Sequence, residues 1–354
     1  MSFSIQKLVR ENVRRLAPYS SARSEFCDNA KIFLDANENS FGSPLGDCHN
    51  RYPDPHHFAL KKRIAELNGV RLTEVCVGNG SDEAIDLLIR VFCRPQIDNV
   101  VICPPTYGMY EVAAGVNDVS VRRANLTRDF VLDLAAVRSA ISENTKLIFL
   151  CSPNNPTGNL MERDAVLEIA RSFDGILVVD EAYVHFSGES SLISELDTFP
   201  NLVVLQTFSK AWGLAGLRVG LAFAGKEIVE LLEKIKPPYN VSGIAQEMIL
   251  KALDKRSQVD GVVGEIVGER KVLENRLRRF PFVRKTYPSD ANFLLVKMAN
   301  TGDVYRFLLS EGIVVRDRSN ADLCEGCLRI TIGTPDENRA LLDAFEKYEK
   351  SFVH

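Results

Sequence analysis

Long hydrophobic runs are absent from this sequence. No apolar stretch in its 354 residues approaches the roughly 20 residues that a membrane-spanning helix needs. Residues 1–16 alternate apolar and charged side chains. They lack the apolar centre and the small-residue cleavage site of a signal peptide. We therefore expect a cytoplasmic protein that does not bind membranes.

A large excess of one charge is also missing. The sequence has 43 Lys and Arg against 47 Asp and Glu, which gives a net charge of −4, and its basic residues are dispersed. This balance argues against nucleic acid or an anionic membrane as the main partner. With 45% hydrophobic and 25% charged residues, the composition is that of a globular protein with a sizeable core.

Histidine is scarce, and the five His and eight Cys show no spacing typical of a zinc site. The C-x-x-C pair of Cys324 and Cys327 lacks the second pair or nearby histidines that a metal would need. We interpret this pair as structural rather than metal-binding or redox-active, and we predict no metal site.

What the sequence does contain is an alternation of strands and helices. Short, nearly continuous apolar runs are typical of strands buried on both faces of a mostly parallel sheet. They occur at residues 75–77, 100–103, 147–151, 176–179, 202–206 and 219–223. Helical patterns separate several of them, which predicts an α/β domain with helices flanking the sheet. Ligands of such sheets gather beyond the carboxyl ends of the strands.

The chain divides into three predicted parts. Residues 1–46 form an N-terminal segment that we expect to pack with the small domain, and residues 47–242 form the large domain. Residues 243–354 form a smaller α+β domain. It begins with one long helical stretch over 243–280 and ends with a helix from Pro335 to about Lys350.

Two polar motifs follow predicted strands in the first half of the large domain. A glycine turn at residues 78–80 precedes a predicted helix that begins with Ser81 and Asp82. Backbone amides at such a turn, together with the helix dipole, suit a phosphate. By itself this motif is better explained as an ordinary capped helix start. The second motif, residues 152–158, contains Asn155 and is also typical of an Asn-Pro turn.

Two further motifs carry ionisable groups. Asp180 ends a buried strand, where an unpaired charge is costly, so a structural arginine or a protonated pyridine nitrogen should face it. Lys210 directly follows another buried strand, where desolvation lowers the pKa of an amine and favours Schiff-base chemistry. Arg218, eight residues further on, offers a planar fork suited to phosphate.

Two other interpretations of the second half of the large domain fail. Ser209 and Lys210 could form the dyad of a hydrolase, but no oxyanion motif accompanies them. The stretch 220–227 approaches a nucleotide-binding P-loop, but Glu227 stands where Ser or Thr must bind magnesium.

In order and spacing, these motifs together resemble those of fold-type I pyridoxal-phosphate aminotransferases. Within that group the chain is most similar to the histidinol-phosphate aminotransferases, in the stretches 16–19, 35–39, 51–54, 103–110, 313–319 and 327–333. The resemblance implies an aspartate-aminotransferase-like fold and pyridoxal 5′-phosphate as cofactor. It also implies a reaction in histidine biosynthesis, in which L-histidinol phosphate and 2-oxoglutarate give imidazole acetol phosphate and L-glutamate.

The resemblance assigns catalytic roles to three residues. It implies that Lys210 carries the cofactor as a Schiff base, that Asp180 pairs with the ring nitrogen, and that Tyr183 hydrogen-bonds the ring hydroxyl oxygen. Asn155 shares that hydrogen bond, and Tyr107 stacks on the ring.

The resemblance also assigns binding roles. It places the cofactor phosphate at Ser81, Asp82, Ser209 and Arg218. In a homodimer with shared active sites, Tyr52 of the neighbouring subunit reaches the same phosphate. The substrate anions are assigned to Arg329, Arg316, Tyr19 and Asn155.

Alternatives remain within the same fold. An aromatic amino-acid aminotransferase would use the same cofactor residues, and so would a threonine-phosphate decarboxylase, whose substrate is also phosphorylated. A non-catalytic module that binds pyridoxal phosphate is a more distant alternative, which the intact Lys210 motif disfavours.

Overall fold

The computed structural model describes residues 4–19, 32–46 and 49–351. In chain order its helices are α1 (Ile5–Leu8), α2 (Glu11–Arg15), α3 (Phe58–Asn68), α4 (Ser81–Phe92), α5 (Met109–Val116), α6 (Leu134–Ala140), α7 (Arg163–Ser172), α8 (Lys226–Ile235), α9 (Gly243–Leu253), α10 (Arg256–Leu277), α11 (Thr301–Ser310) and α12 (Pro335–Lys350). Its strands are β1 (Val75–Asn79), β2 (Asn99–Ile102), β3 (Ser120–Arg123), β4 (Thr145–Cys151), β5 (Ile176–Asp180), β6 (Leu202–Thr207), β7 (Val219–Ala224), β8 (Val283–Thr286), β9 (Phe293–Met298), β10 (Arg316–Asp317) and β11 (Cys327–Thr331).

Seven of these strands form the large sheet, in the order β1-β7-β6-β5-β4-β2-β3. Neighbouring strands are parallel except where β7 pairs with β1 and β6. In every strand of this sheet except the edge strand β3, alternate residues enter two different core clusters, as Leu177 and Val179 do on one face and Ile176 and Val178 on the other. Both faces are therefore covered, which is why these strands have continuous apolar sequences.

The small sheet is antiparallel, in the order β10-β11-β9-β8. One of its faces packs with α10, α11 and α12 around Leu294, Val296, Ile330 and Phe345. The predicted fold class, a mostly parallel α/β domain plus a smaller α+β domain, is confirmed.

The helical prediction over 243–280 is wrong in one respect. Two helices, α9 and α10, replace the single one, and Asp254 and Lys255 separate them. They also pack differently, since α9 contributes Ala245, Ile249 and Leu253 to the core cluster of the large sheet. We therefore propose that the large domain extends through α9, beyond the predicted boundary at residue 242.

The start of the chain also differs from its prediction. Ile5, Val9 and Val13 join the core cluster that contains α4 and α5. The Arg10 backbone N–H donates to the carbonyl of Val91 at 3.0 Å. The sequence predicts that residues 1–46 pack with the small domain, but α1 and α2 pack on the large one because their apolar sides complete the layer over α4.

Within the described ranges, no helix is long and apolar enough to cross a membrane. Over the same residues, no group of three or more His, Cys, Asp or Glu side chains could hold a metal ion. Cys324 and Cys327 are buried free thiols. Burial raises the pKa of Cys324 to about 12 and that of Cys327 to about 11, so both stay protonated near neutral pH.

Candidate active site

A cavity of about 430 Å³ lies at the carboxyl ends of β4, β5 and β6, where the small sheet meets the large one. Parallel strands bring their carboxyl ends to one edge, so residues far apart in sequence converge there. Most of the residues selected from the sequence line this cavity: Ser81, Asp82, Tyr107, Asn155, Asp180, Tyr183, Ser209, Lys210, Arg218, Arg316 and Arg329.

Asp180, the last residue of β5, is 3% exposed. Its Oδ2 accepts a hydrogen bond from the Tyr110 hydroxyl at 2.9 Å, and its Oδ1 accepts one from the backbone N–H of Ala182 at 3.0 Å. Burial raises the pKa of Asp180 to about 6 in spite of these two donors. No described Lys, Arg or His forms an ion pair with this carboxylate, so its site suits a positively charged ligand atom.

Lys210 follows β6 and reaches into the cavity. Its Nζ lies 5.6 Å from the centroid of the Tyr183 ring. Desolvation and then the charge of Arg329 lower the pKa of Lys210, while Asp180 opposes them. A lysine with a lowered pKa has a larger neutral fraction, and the neutral amine is the nucleophile and the base.

A second cluster surrounds the N-terminus of α4. Gly80 caps the helix with φ of +76°, a backbone conformation that residues with side chains rarely adopt, so this position favours glycine. Arg218 Nη1 donates to the Ser209 hydroxyl at 3.4 Å. Its Nη2 lies 3.7 Å from the Asp82 carboxylate. A phosphate can be held by such a set of groups, which combines the N-terminus of a helix and its backbone N–H groups with a hydroxyl and a guanidinium.

The other wall of the cavity joins the two domains. Asn155 donates to the Tyr183 hydroxyl at 3.3 Å and accepts a hydrogen bond from Arg329 Nη1 at 2.5 Å. Arg329 is on β11 of the small sheet, whereas Asn155 and Tyr183 are in turns after β4 and β5. Tyr107 donates to Asp82 Oδ1 at 3.1 Å, which ties it to the start of α4.

Two of the selected residues lie elsewhere. Tyr52 is about half exposed and stacks on Tyr239, with ring centroids 4.5 Å apart, in a separate open groove of about 960 Å³. Tyr19 is 76% exposed and does not line the cavity. Within a single chain neither residue joins the other site residues.

Two further residues belong to the site although the sequence did not single them out, Arg318 in the cavity wall and the buried Tyr110. Arg318 lines the cavity beside Arg316. Its spacing of two residues from Arg316 was a usable signal, because side chains two residues apart in an extended chain lie on the same face. Tyr110, which holds Asp180, gave a weaker signal. Its spacing of three from Tyr107 fits one helix face, but its partner carboxylate depends on tertiary structure.

Comparison with known proteins places this arrangement in a family. The model of the family described as aminotransferase class I and II matches residues 37–345. A histidinol-phosphate aminotransferase from Cytophaga hutchinsonii is 50% identical, over 98% of this chain and 100% of its own length. One from Parabacteroides distasonis is 53% identical, over 97% of this chain and 98% of its own length.

The fold agrees with the sequence relatives. The crystal structure of histidinol-phosphate aminotransferase from Sinorhizobium meliloti, in complex with pyridoxal-5′-phosphate, is 25% identical with a TM-score of 0.80 and covers 90% of each chain. The family model matches most of the chain, and the two relatives are identical to it at about half of the positions over nearly its full length. The chain belongs to the class I and II aminotransferases and, among them, to the histidinol-phosphate aminotransferases.

Proposed function

We propose that this protein is a histidinol-phosphate transaminase. It transfers the amino group of L-histidinol phosphate to 2-oxoglutarate, which gives imidazole acetol phosphate and L-glutamate, and it uses pyridoxal 5′-phosphate. The observation that carries the proposal is the convergence of a buried carboxylate, a lysine with a lowered pKa and a cluster of arginines on one cavity.

The cavity residues fit this cofactor. Asp180 is a buried carboxylate that no described cation neutralises, which suits a protonated ring nitrogen. The N-terminus of α4 with Ser209 and Arg218 forms a cradle for the cofactor phosphate, and the positive φ of Gly80 sets the turn that leads into it. The lowered pKa of Lys210 supports covalent attachment of the cofactor at this residue.

When bound, pyridoxal phosphate supplies the carbonyl carbon that takes up the amino group and a ring that accepts the electron pair of the α-carbon. Asp180 would hold the proton on the ring nitrogen, and the Tyr110 hydroxyl orients its carboxylate. Lys210 Nζ, once free, would move the proton from the α-carbon of the amino substrate to the cofactor carbon that takes up the amino group. Asn155 and Tyr183 would hold the ring hydroxyl oxygen, and Tyr107 would stack on the ring.

The substrate anions bind at the arginines of the small sheet. Arg329 and Arg316 bind the phosphate of histidinol phosphate and the carboxylates of glutamate, because a guanidinium can donate two parallel hydrogen bonds to either group. We also propose that Tyr19 contributes to substrate binding together with Arg329 and Arg316.

The proposal includes a homodimer with shared sites. Tyr52 and Ile244 line one open groove and are each about half exposed, so this surface has apolar area available for a second copy. In the dimer, Tyr52 of one subunit completes the phosphate cradle of the other.

Steady-state turnover with 2-oxoglutarate tests the proposal. The amino donors to compare are L-histidinol phosphate, L-phenylalanine and L-threonine O-3-phosphate, with carbon dioxide release followed for the last. We expect kcat/KM to be highest for L-histidinol phosphate. A preference for phenylalanine would instead indicate an aromatic aminotransferase, and carbon dioxide from threonine phosphate would indicate a decarboxylase.

A further inference from the structure

Three arginines of the small sheet line one side of the cavity. Arg316 lies directly opposite Arg329 in the antiparallel pair of β10 and β11. Arg318 follows Arg316 by two residues, and its backbone N–H continues the ladder by donating to the carbonyl of Cys327 at 2.9 Å. Because side chains alternate along a strand, Arg316 and Arg318 point to the same face, and all three guanidinium groups line the cavity.

Such a cluster is unfavourable without an anion. Like charges directly opposite each other on neighbouring strands are destabilising. Among the described residues, no carboxylate forms an ion pair with Arg316, Arg318 or Arg329. The Nε atoms of Arg318 and Arg329 are also buried without a hydrogen-bond partner in that part of the chain. Burial lowers the pKa of both groups, and the neighbouring arginine charges lower it further.

The three arginines differ in how many of their hydrogen-bond donors remain available to a ligand. Arg329 already donates one N–H to Asn155, whereas the guanidinium groups of Arg316 and Arg318 make no described side-chain hydrogen bond. A carboxylate carries one negative charge and is satisfied by one guanidinium fork. A phosphate monoester carries close to two charges and three acceptor oxygens, so it uses a second fork.

We propose that Arg318 is a specificity-determining residue that binds the phosphate group of the amino substrate and selects phosphate monoesters over carboxylates. This inference rests on the proposed function, because it names the group that recognises the phosphorylated substrate. Arg329 and Arg316 serve both substrates, while Arg318 contributes mainly to the phosphorylated one.

The test compares R318Q and R318K with the unaltered holoenzyme. Half-reactions are followed by the absorbance of the bound cofactor with L-histidinol phosphate, with L-histidinol and with L-glutamate. Loss of one charged hydrogen-bonding group should lower kcat/KM for L-histidinol phosphate on the order of 10- to 100-fold, mainly through KM. The values for L-histidinol and L-glutamate should stay close to the unaltered ones. R318K keeps the charge without the fork and should restore part of the loss.

A binding measurement without turnover accompanies the kinetics. Calorimetric titration of the holoenzyme with inorganic phosphate should show weaker binding in R318Q. The matched control is R284Q, because Arg284 is an exposed arginine of β8 in the same sheet that does not line the cavity.

The outcomes are distinct. An equal loss with L-histidinol phosphate and L-glutamate would overturn the claimed selectivity, and no loss with either would remove Arg318 from the binding site. If the unaltered protein does not use L-histidinol phosphate at all, the proposed function fails. Weaker phosphate binding in R318Q, with R284Q unchanged, would then still support an anion site at Arg318.

Discussion

The hydrogen bond from Tyr110 to Asp180 provides a quantitative test of how the site is built. Both side chains are buried, and the bond is 2.9 Å long. Tyr110→Phe removes the hydroxyl but keeps the ring, which stacks on Phe149 with centroids 4.9 Å apart. The backbone N–H of Ala182 then remains as a donor to the Asp180 carboxylate.

The size of the effect follows from the energy of that bond. A hydrogen bond to a charged group contributes about 1.5–3 kcal/mol, and one pKa unit corresponds to about 1.36 kcal/mol. The pKa of Asp180 is about 6 with the bond in place. Without it, we expect the pKa to rise by roughly one to two units, to between about 7 and about 8.

Infrared titration of the cofactor-free protein measures this pKa. Subtracting the spectra of Asp180→Asn isolates the carboxyl band of Asp180. The native pKa lies above the ordinary value of 3.8, so the stability that this group contributes is present at low pH and is lost as pH rises through the native pKa. In Tyr110→Phe that loss continues to higher pH. The deficit in the free energy of unfolding should therefore be larger near pH 8 than near pH 4.

Two results would contradict this reasoning. An unchanged titration midpoint in Tyr110→Phe would mean that the hydroxyl does not stabilise the carboxylate. A pH-dependent deficit that persists when Tyr110→Phe is made in the Asp180→Asn background would assign the effect to another group, since Asn does not titrate.

Four further predictions concern the proposed site and the assembly. Borohydride reduction of the holoenzyme should fix the cofactor on Lys210, and peptide mapping that finds another lysine would displace the assignment. Asp180→Ala should lose most transamination and bind cofactor more weakly by equilibrium dialysis, whereas near-normal turnover would make the carboxylate structural. Gly220→Ala places a Cβ 2.1 Å from the backbone nitrogen of Ser81, the first residue of α4, and should cost on the order of 1–3 kcal/mol in urea unfolding and weaken cofactor binding. The control Gly216→Ala meets no atom within 4 Å and should do neither. Mixing inactive Lys210→Ala chains with inactive Tyr52→Ala chains should restore part of the activity, and no recovery in proven mixed dimers would refute the shared site.

The buried strands were predictable because their environment is uniform. A strand covered on both faces needs apolar residues at every position, and β4, β5, β6 and β7 show this directly in sequence. Edge strand β3 escaped prediction for the opposite reason. Its sequence is Ser-Val-Arg-Arg, largely exposed, and only backbone pairing with β2 defines it.

The other features that the sequence predicted wrongly or not at all have a common physical cause. The two helices α9 and α10 share one helical pattern, but they pack on different cores, and sequence periodicity does not report which core a helix joins. Likewise the apolar sides of α1 and α2 fit either domain until the layer over α4 is known. Tyr110 and Arg318 gave only local spacing signals, while their roles depend on what lies across the cavity.

The contact between Asn155 and Arg329 has a consequence for how tightly anions bind. A free arginine side chain loses about 2 kcal/mol of rotamer entropy when it is immobilised. Here the Asn155 amide oxygen already holds one guanidinium nitrogen, at 2.5 Å, before any ligand arrives. That entropy is lost during folding rather than during binding, so an incoming anion meets a preorganised guanidinium. Asn155→Ala would leave the charge of Arg329 in place and still weaken binding, because the ligand would then have to immobilise the side chain itself.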